Sequence, residues 1–200
     1  MDAEQVVHNE TFRGQDWALA EVSRVDYEDC AFHDVDWSEA QLTGCRFRHC
    51  QFGNVRFNAS FLARTAILQS TLTRCSFFDA TLTDCKLTGT QFVDCGLRPL
   101  TIEGGDWAFV SLRGQNLTGA KLAGLRLREA DLTGADLTRA DLRNADLVNA
   151  RLKDAVLKTT DLRGADLSGV QLKGVDITGA KIDLAQAVLF ATAYGAEVSG

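Results

Sequence analysis

The chain has 200 residues, 46% of them hydrophobic, with one proline, seventeen glycines, six cysteines and a formal net charge of -6. That suits a single domain with a core and does not suit a disordered linker. No charged-then-apolar leader follows Met1, and no apolar run approaches the roughly 18 residues of a membrane span, so a cytoplasmic location without membrane contact is expected.

The charge is unevenly placed along the chain. Residues 1–40 hold eleven acids against Arg13 and Arg24, a balance of -9, and the other 160 residues sum to +3. An acidic end argues against direct nucleic-acid binding and suits a surface that normally binds it; a solvated, solubilising end is the alternative.

After a lead-in over 1–11, a rhythm of five begins. From Phe12 through Trp17, Val22 and Tyr27 to Ile182, 35 consecutive fifth positions are large and apolar, and from Leu132 to Leu172 all are leucine. Two places earlier the residue is nearly always small, with Gln15, Leu100, Gln115 and Leu125 oversized and Gly105 undersized. Five matches neither the 3.6-residue helix nor the two-residue strand, so a repeat architecture has to explain it. A single repeat cannot bury its apolar side chain alone, whereas stacked repeats form one continuous column.

This pattern is identified as that of pentapeptide repeats, over about 85% of the chain. The resemblance implies an all-β solenoid: a right-handed quadrilateral β-helix, four repeats to a coil, with the large and small residues inward. Residues 12–182 then make eight to nine coils, and at about 4.8 Å per coil a rod roughly 40 Å long. Nothing resets the phase, so the rod should be loop-free. The weak point is Arg98-Pro99-Leu100 through Gly104-Gly105, where a kink or irregular turn is expected. The first half is filled with phenylalanine, tryptophan and cysteine and the second with leucine and alanine, so the amino-terminal coils should pack less regularly.

The rhythm stops after Ile182, and 183–200 read as a helix and tail. Asp183 is a good N-cap, Leu184–Tyr194 has no glycine or proline, and Gly195 can end the helix. It is apolar nearly all round. One face can cap the column; the other, drawn from Leu184, Ala187, Val188, Phe190, Ala191 and Tyr194, would make a twofold homodimer interface. A fully buried cap is the alternative.

Catalytic chemistry is not legible. Cys30, Cys45, Cys50, Cys75, Cys85 and Cys95 all occupy the small inward position and read as core filler. Neither zinc spacing nor a nucleophile partner for His8, His33 or His49 appears. The recurrent outward aspartates read as turn stabilisers rather than a carboxylate pair. No enzyme activity, cofactor or metal is expected.

Segments outside the repeat consensus carry a closer resemblance. Leu97-Arg98-Pro99-Leu100-Thr101, Leu125-Arg126-Leu127-Arg128-Glu129 and the end from Ile182-Asp183 through Gln186-Ala187-Val188, Phe190-Ala191, Ala193 and Gly195 are similar to the MfpA, Qnr and AlbG group, most of all its MfpA branch. That resemblance implies a dimer joined through the carboxy-terminal helices, acting as a DNA-sized acidic rod that binds DNA gyrase. It also implies a link to resistance against quinolones or albicidin. Asp16, Glu21, Asp26, Asp29, Asp34 and Asp36 are then the expected gyrase contacts, with Phe61 as an outward aromatic candidate; Phe78 and Phe109 are similarly off the rhythm, with turn packing as the alternative reading. A structural scaffold without a gyrase role is the rival reading. Drug sequestration would need a pocket that a filled column does not offer.

Overall fold

Five residues make one side of a square coil only if one of them turns the corner. The residue two places after each large apolar one does so with positive φ, from Asn9 (56°) through Phe109 (59°) to Gly179 (69°), at every fifth position except Pro99. The left-handed conformation there costs an L-residue roughly 1–2 kcal/mol, and glycine, asparagine or aspartate fill many of these corners.

The computed structural model describes residues 5–198, a parallel β-solenoid of four faces with one helix at its carboxy-terminal end. The first face stacks Gln5–His8, Val25–Glu28, Arg46–Arg48 and Ala66–Leu68, and the second runs from Thr11–Arg13 to Gln91–Val93. The fourth runs from Glu21–Ser23 to Leu100–Glu103, and the third is held by bridges such as Asp16↔Asp36 and Asp36↔Arg56. Every pairing joins residues twenty apart, from Gln5↔Val25 to Asp161↔Lys181. Named strands end at Glu103, and beyond it only isolated bridges continue the faces.

The column is continuous from Tyr27 to Val175, with Phe190 of the helix closing one end. The amino-terminal coils do not pack less regularly, contrary to expectation. Phe12, Phe32 and Phe52 form a ladder with centroids 5.1 and 5.0 Å apart, Tyr27 stacks on Phe47 at 4.9 Å, and Trp17 on Trp37 at 5.2 Å. Flat rings on a common face match the coil spacing, so large aromatic residues fill the column as evenly as leucine. The cysteines are core filler as read. Burial pushes the thiols of Cys85 and Cys50 up to about 11 and about 12, far from the thiolate a nucleophile needs.

The outward aspartates brace the turns. Asp16, Asp36, Asp106, Asp131, Asp136, Asp141, Asp146, Asp161, Asp166 and Asp176 each accept from the backbone N–H two residues on. Asp141 and Asp161, stacked one above the other, each also accept two bonds from their own Arg143 or Arg163, through Nε and Nη2 of one guanidinium edge, which offsets their mutual repulsion. The arginine lowers the Asp161 carboxyl to about 2, and Arg56 does the same to Asp36. Groups whose carboxyl is depressed by folding stabilise fully above the unfolded value near 4, and that contribution is lost as pH falls towards 2. The melting temperature should therefore hold between about pH 7 and 5 and fall steadily below about pH 4 in a thermal melt series; an unchanged melt at about pH 2.5 would contradict it.

At the weak point the stack opens. In neighbouring coils each large residue donates its N–H to the carbonyl nineteen residues on, as Leu87 does to Asp106 and Leu117 to Asp136. Leu97 and Ile102 have no such bond to Asn116 and Lys121, nor do Asn116 and Lys121 donate back to Cys95 and Leu100. Among the described residues, no bridge or backbone hydrogen bond joins Asp94–Gly105 to Gly114–Leu125. The seam spans the third and fourth faces, while Leu100–Glu103 stays paired with Ala80–Thr83 below it. The expected irregular turn is thus a split between coils, with the twenty-residue offset preserved. Cys95 lies beside it and is only half-buried, unlike the other five cysteines.

Candidate functional site

The acidic end is a girdle rather than a patch. Asp16 and Asp36 stack on the third face, Glu21 starts the fourth, Asp26 lies on the first, and Asp29 and Asp34 turn corners on either side. Much of its charge is answered from the coil above. Arg46 holds Asp26 at 2.6 Å, Arg48 holds Glu28 at 3.3 Å, Arg56 holds Asp36 at 2.6 Å, and Asn54 donates to Asp34 at 2.9 Å.

Asp26 therefore departs from its expected role. It is 4% exposed, with Arg46 across its carboxylate, and is not an outward contact. Asp36 is half-buried and neutralised by Arg56. Asp16, Glu21 and Asp29 are exposed, and no ion pair among the described residues engages them. A sequence rule pairing each acid with the residue twenty places on would have found this, because Arg46, Arg48 and Arg56 follow Asp26, Glu28 and Asp36 at that spacing.

The helix covers Leu184–Ala193, one residue short of the expected span, with Tyr194 as its C-cap. Gln186, a residue the hydrophobic pattern does not single out, anchors it. The Asp183 side chain accepts the Gln186 N–H at 3.0 Å, and Gln186 Oε1 accepts the Asp183 N–H at 3.0 Å. Gln186 Nε2 then donates to the carbonyls of Leu162 and Ala165, the latter at 2.9 Å, tying the helix to the last coils. The capping-box spacing of Asp183 and Gln186 was the available signal. Phe190 also departs from expectation: it is 7% exposed, built into the column rather than the outer face. Ala187 and Ala191 are half-buried, and Leu184, Val188 and Tyr194 are exposed, joined there by Leu189. The Tyr194 hydroxyl accepts from the Gly174 N–H at 3.1 Å, so that side chain also fastens the cap.

Phe61 is exposed as expected, at 42%, and Phe78 and Phe109 are exposed too. Among the described residues, no cluster of three or more metal-ligating side chains occurs and no helix is long and apolar enough to cross a membrane.

This geometry defines a β-solenoid of five-residue repeats with a helical cap. The chain belongs to the pentapeptide repeat family, whose profile matches residues 28–62, 111–148 and 145–185 in eight copies. No curated protein matches the sequence. Among solved structures, HetL of the cyanobacterium Nostoc sp. strain PCC 7120, a pentapeptide repeat protein involved in heterocyst differentiation regulation, is similar. It has a TM-score of 0.60 and 22% identity over 89% of this chain and 88% of HetL. Full-length QnrB1, a plasmid-mediated fluoroquinolone resistance protein, gives 0.54 and 20% over 96% of this chain and all of QnrB1 (100%). A trypsin-treated QnrB1 variant gives 0.57 and 21% over 98% and 92%. At these identities the likeness is one of fold.

Proposed function

We propose that this chain is a non-catalytic, cytoplasmic protein that binds DNA gyrase as an acidic rod and shields it from a quinolone or albicidin. The observation that carries the proposal is the girdle of exposed carboxylates, Asp16, Glu21 and Asp29, which no ion pair among the described residues engages, held on stacked coils. Gyrase must bind duplex DNA through phosphate contacts, and a preorganised acidic surface competes for such contacts with little ordering cost. The group resemblance of the Arg98-Pro99-Leu100 segment and the helix supports the same partner. So does the solenoid shared with QnrB1, although HetL shows that this fold also serves regulation unrelated to drug resistance in its description.

The active form is a homodimer through the outer helix face, where Leu184 is 87% exposed with Val188 and Leu189 beside it. Such a face is costly to leave in water. Leu184→Glu with Val188→Glu should yield monomers by sedimentation without lowering the melting temperature; an unchanged dimer would remove this interface.

The deciding experiment is a gyrase supercoiling assay with and without each drug. Restored supercoiling in the presence of one drug is the expected result. Reversing Asp16, Glu21 and Asp29 to lysine should weaken the effect roughly tenfold or more and flatten its salt dependence. No effect from micromolar wild-type protein would favour the scaffold reading.

A further inference from the structure

The open seam has the features of a binding groove, and they are independent of the acidic girdle. Its outer part is a cleft of about 540 Å³ lined by Leu97–Thr101 on one side and Thr118–Lys121 on the other. Four backbone groups that the repeat pattern would pair across it, the N–H groups of Leu97, Ile102, Asn116 and Lys121, make no bond to the facing coil. Backbone donors at a sheet edge are what an added strand needs.

The corner beside the cleft is the one place where the left-handed turn is missing, because the proline ring fixes φ near -65°. Phe78 lies one coil below Arg98, 57% exposed, and Asp79 after it donates its N–H to the Pro99 carbonyl at 2.7 Å. Phe61 pairs with Thr81, which pairs with Thr101 of the cleft wall. Two outward phenylalanines thus lie one and two coils below an opening whose floor includes Leu97 and Leu100.

The charges of the lining select the occupant. Arg98 and Lys121 are the ionisable groups in the cleft wall, and no ion pair among the described residues engages either; Arg98 donates to the neutral Asn116 amide at 3.1 Å, within electrostatic reach of Asp136. Two cations over an apolar floor do not make a phosphate track, and a net charge of -6 opposes nucleic acid.

The geometry points to the seam between Asp94–Gly105 and Gly114–Leu125 as a docking groove for an extended, acidic protein segment. That segment pairs its backbone with the open coil edge, sets one large apolar side chain against Phe78 and Leu97, and places flanking carboxylates on Arg98 and Lys121. The gyrase reading is not needed for this site, which would serve a scaffold equally well.

The test is a displayed random-peptide library panned on the full chain, with counter-selection on Phe78→Ser, followed by fluorescence polarisation with the leading peptide. The expected winners carry a large apolar residue flanked by aspartate or glutamate. Binding should weaken tenfold or more in Phe78→Ser and severalfold in Arg98→Gln, and stay unchanged in Phe109→Ser on the opposite corner. A second variant separates binding from folding: Pro99→Gly allows the left-handed corner to form and the seam to close, so it should abolish peptide binding while raising the melting temperature. The proposal is overturned if no peptide is enriched, if the winners are basic, or if binding survives Phe78→Ser. It is also overturned if a mixed-sequence oligonucleotide binds in an Arg98-dependent way and no peptide does.

Discussion

Gly105→Ala is expected to cost about 3 kcal/mol or more, among the larger effects available to a single substitution in this fold. A Cβ at Gly105 would lie 2.2 Å from the Cys85 carbonyl oxygen and 3.1 Å from the Cys85 nitrogen, and φ at Gly105 is +106°. The obstructing atom is backbone, and that carbonyl already accepts the Asp106 N–H at 3.0 Å. Relief would break a ladder bond at the edge of the seam. Gly119→Ala is the matched control: φ is +70° but no atom stands within 4 Å, so only the left-handed penalty of about 1 kcal/mol applies. Circular dichroism melts should show a far larger drop for Gly105→Ala, with the transition splitting in two as the halves uncouple. Equal drops for the two variants would refute the close-contact explanation.

Gln186→Leu should release the helix. The substitution leaves the Leu162 and Ala165 carbonyls and the Asp183 N–H without their partner, each costing about 1–3 kcal/mol if it stays buried. Water recovers part of that once the helix lifts, so a net loss of roughly 3–5 kcal/mol is expected. Hydrogen exchange should show lost protection over residues 187–194 while the coils keep theirs, and the proposed dimer should dissociate with the helix. Asp183→Ala removes the Gln186 cap bond at 3.0 Å and the bond its carboxylate accepts from the exposed Gly164 N–H at 2.8 Å, and should cost about 1–2 kcal/mol. Full protection of the helix in Gln186→Leu would mean that Phe190 and Tyr194 suffice to hold the cap.

The fold was legible because its signal is a period. One apolar residue every five, unbroken from Phe12 to Ile182, fixes which side chains point inward and which residues stack twenty apart. Two things escaped that reading. Packing regularity depends on ring geometry as well as residue volume, and Phe12, Phe32 and Phe52 stack as regularly as leucines. Charge was read along the chain when it acts between coils: Asp26 looked outward and free in isolation, yet its neighbour in space is Arg46. The helix shows the same limit, since Gln186 faces inward for its hydrogen bonds and hydropathy alone gives no reason to expect it there. At the seam, Pro99 and Gly105 announced irregularity, but the sequence held no sign that two whole faces would come apart.

The constant offset of twenty makes this molecule a ruler marked in coils. An in-frame duplication or loss of twenty codons within 131–170 would lengthen or shorten the rod by one coil, about 4.8 Å, and leave every remaining contact with a neighbour of the same kind. A change of any other size would turn corners into faces and large residues into small. Such a gene can alter the reach of its product only in whole steps, so the distance between acidic girdle and helical cap evolves as a quantised length.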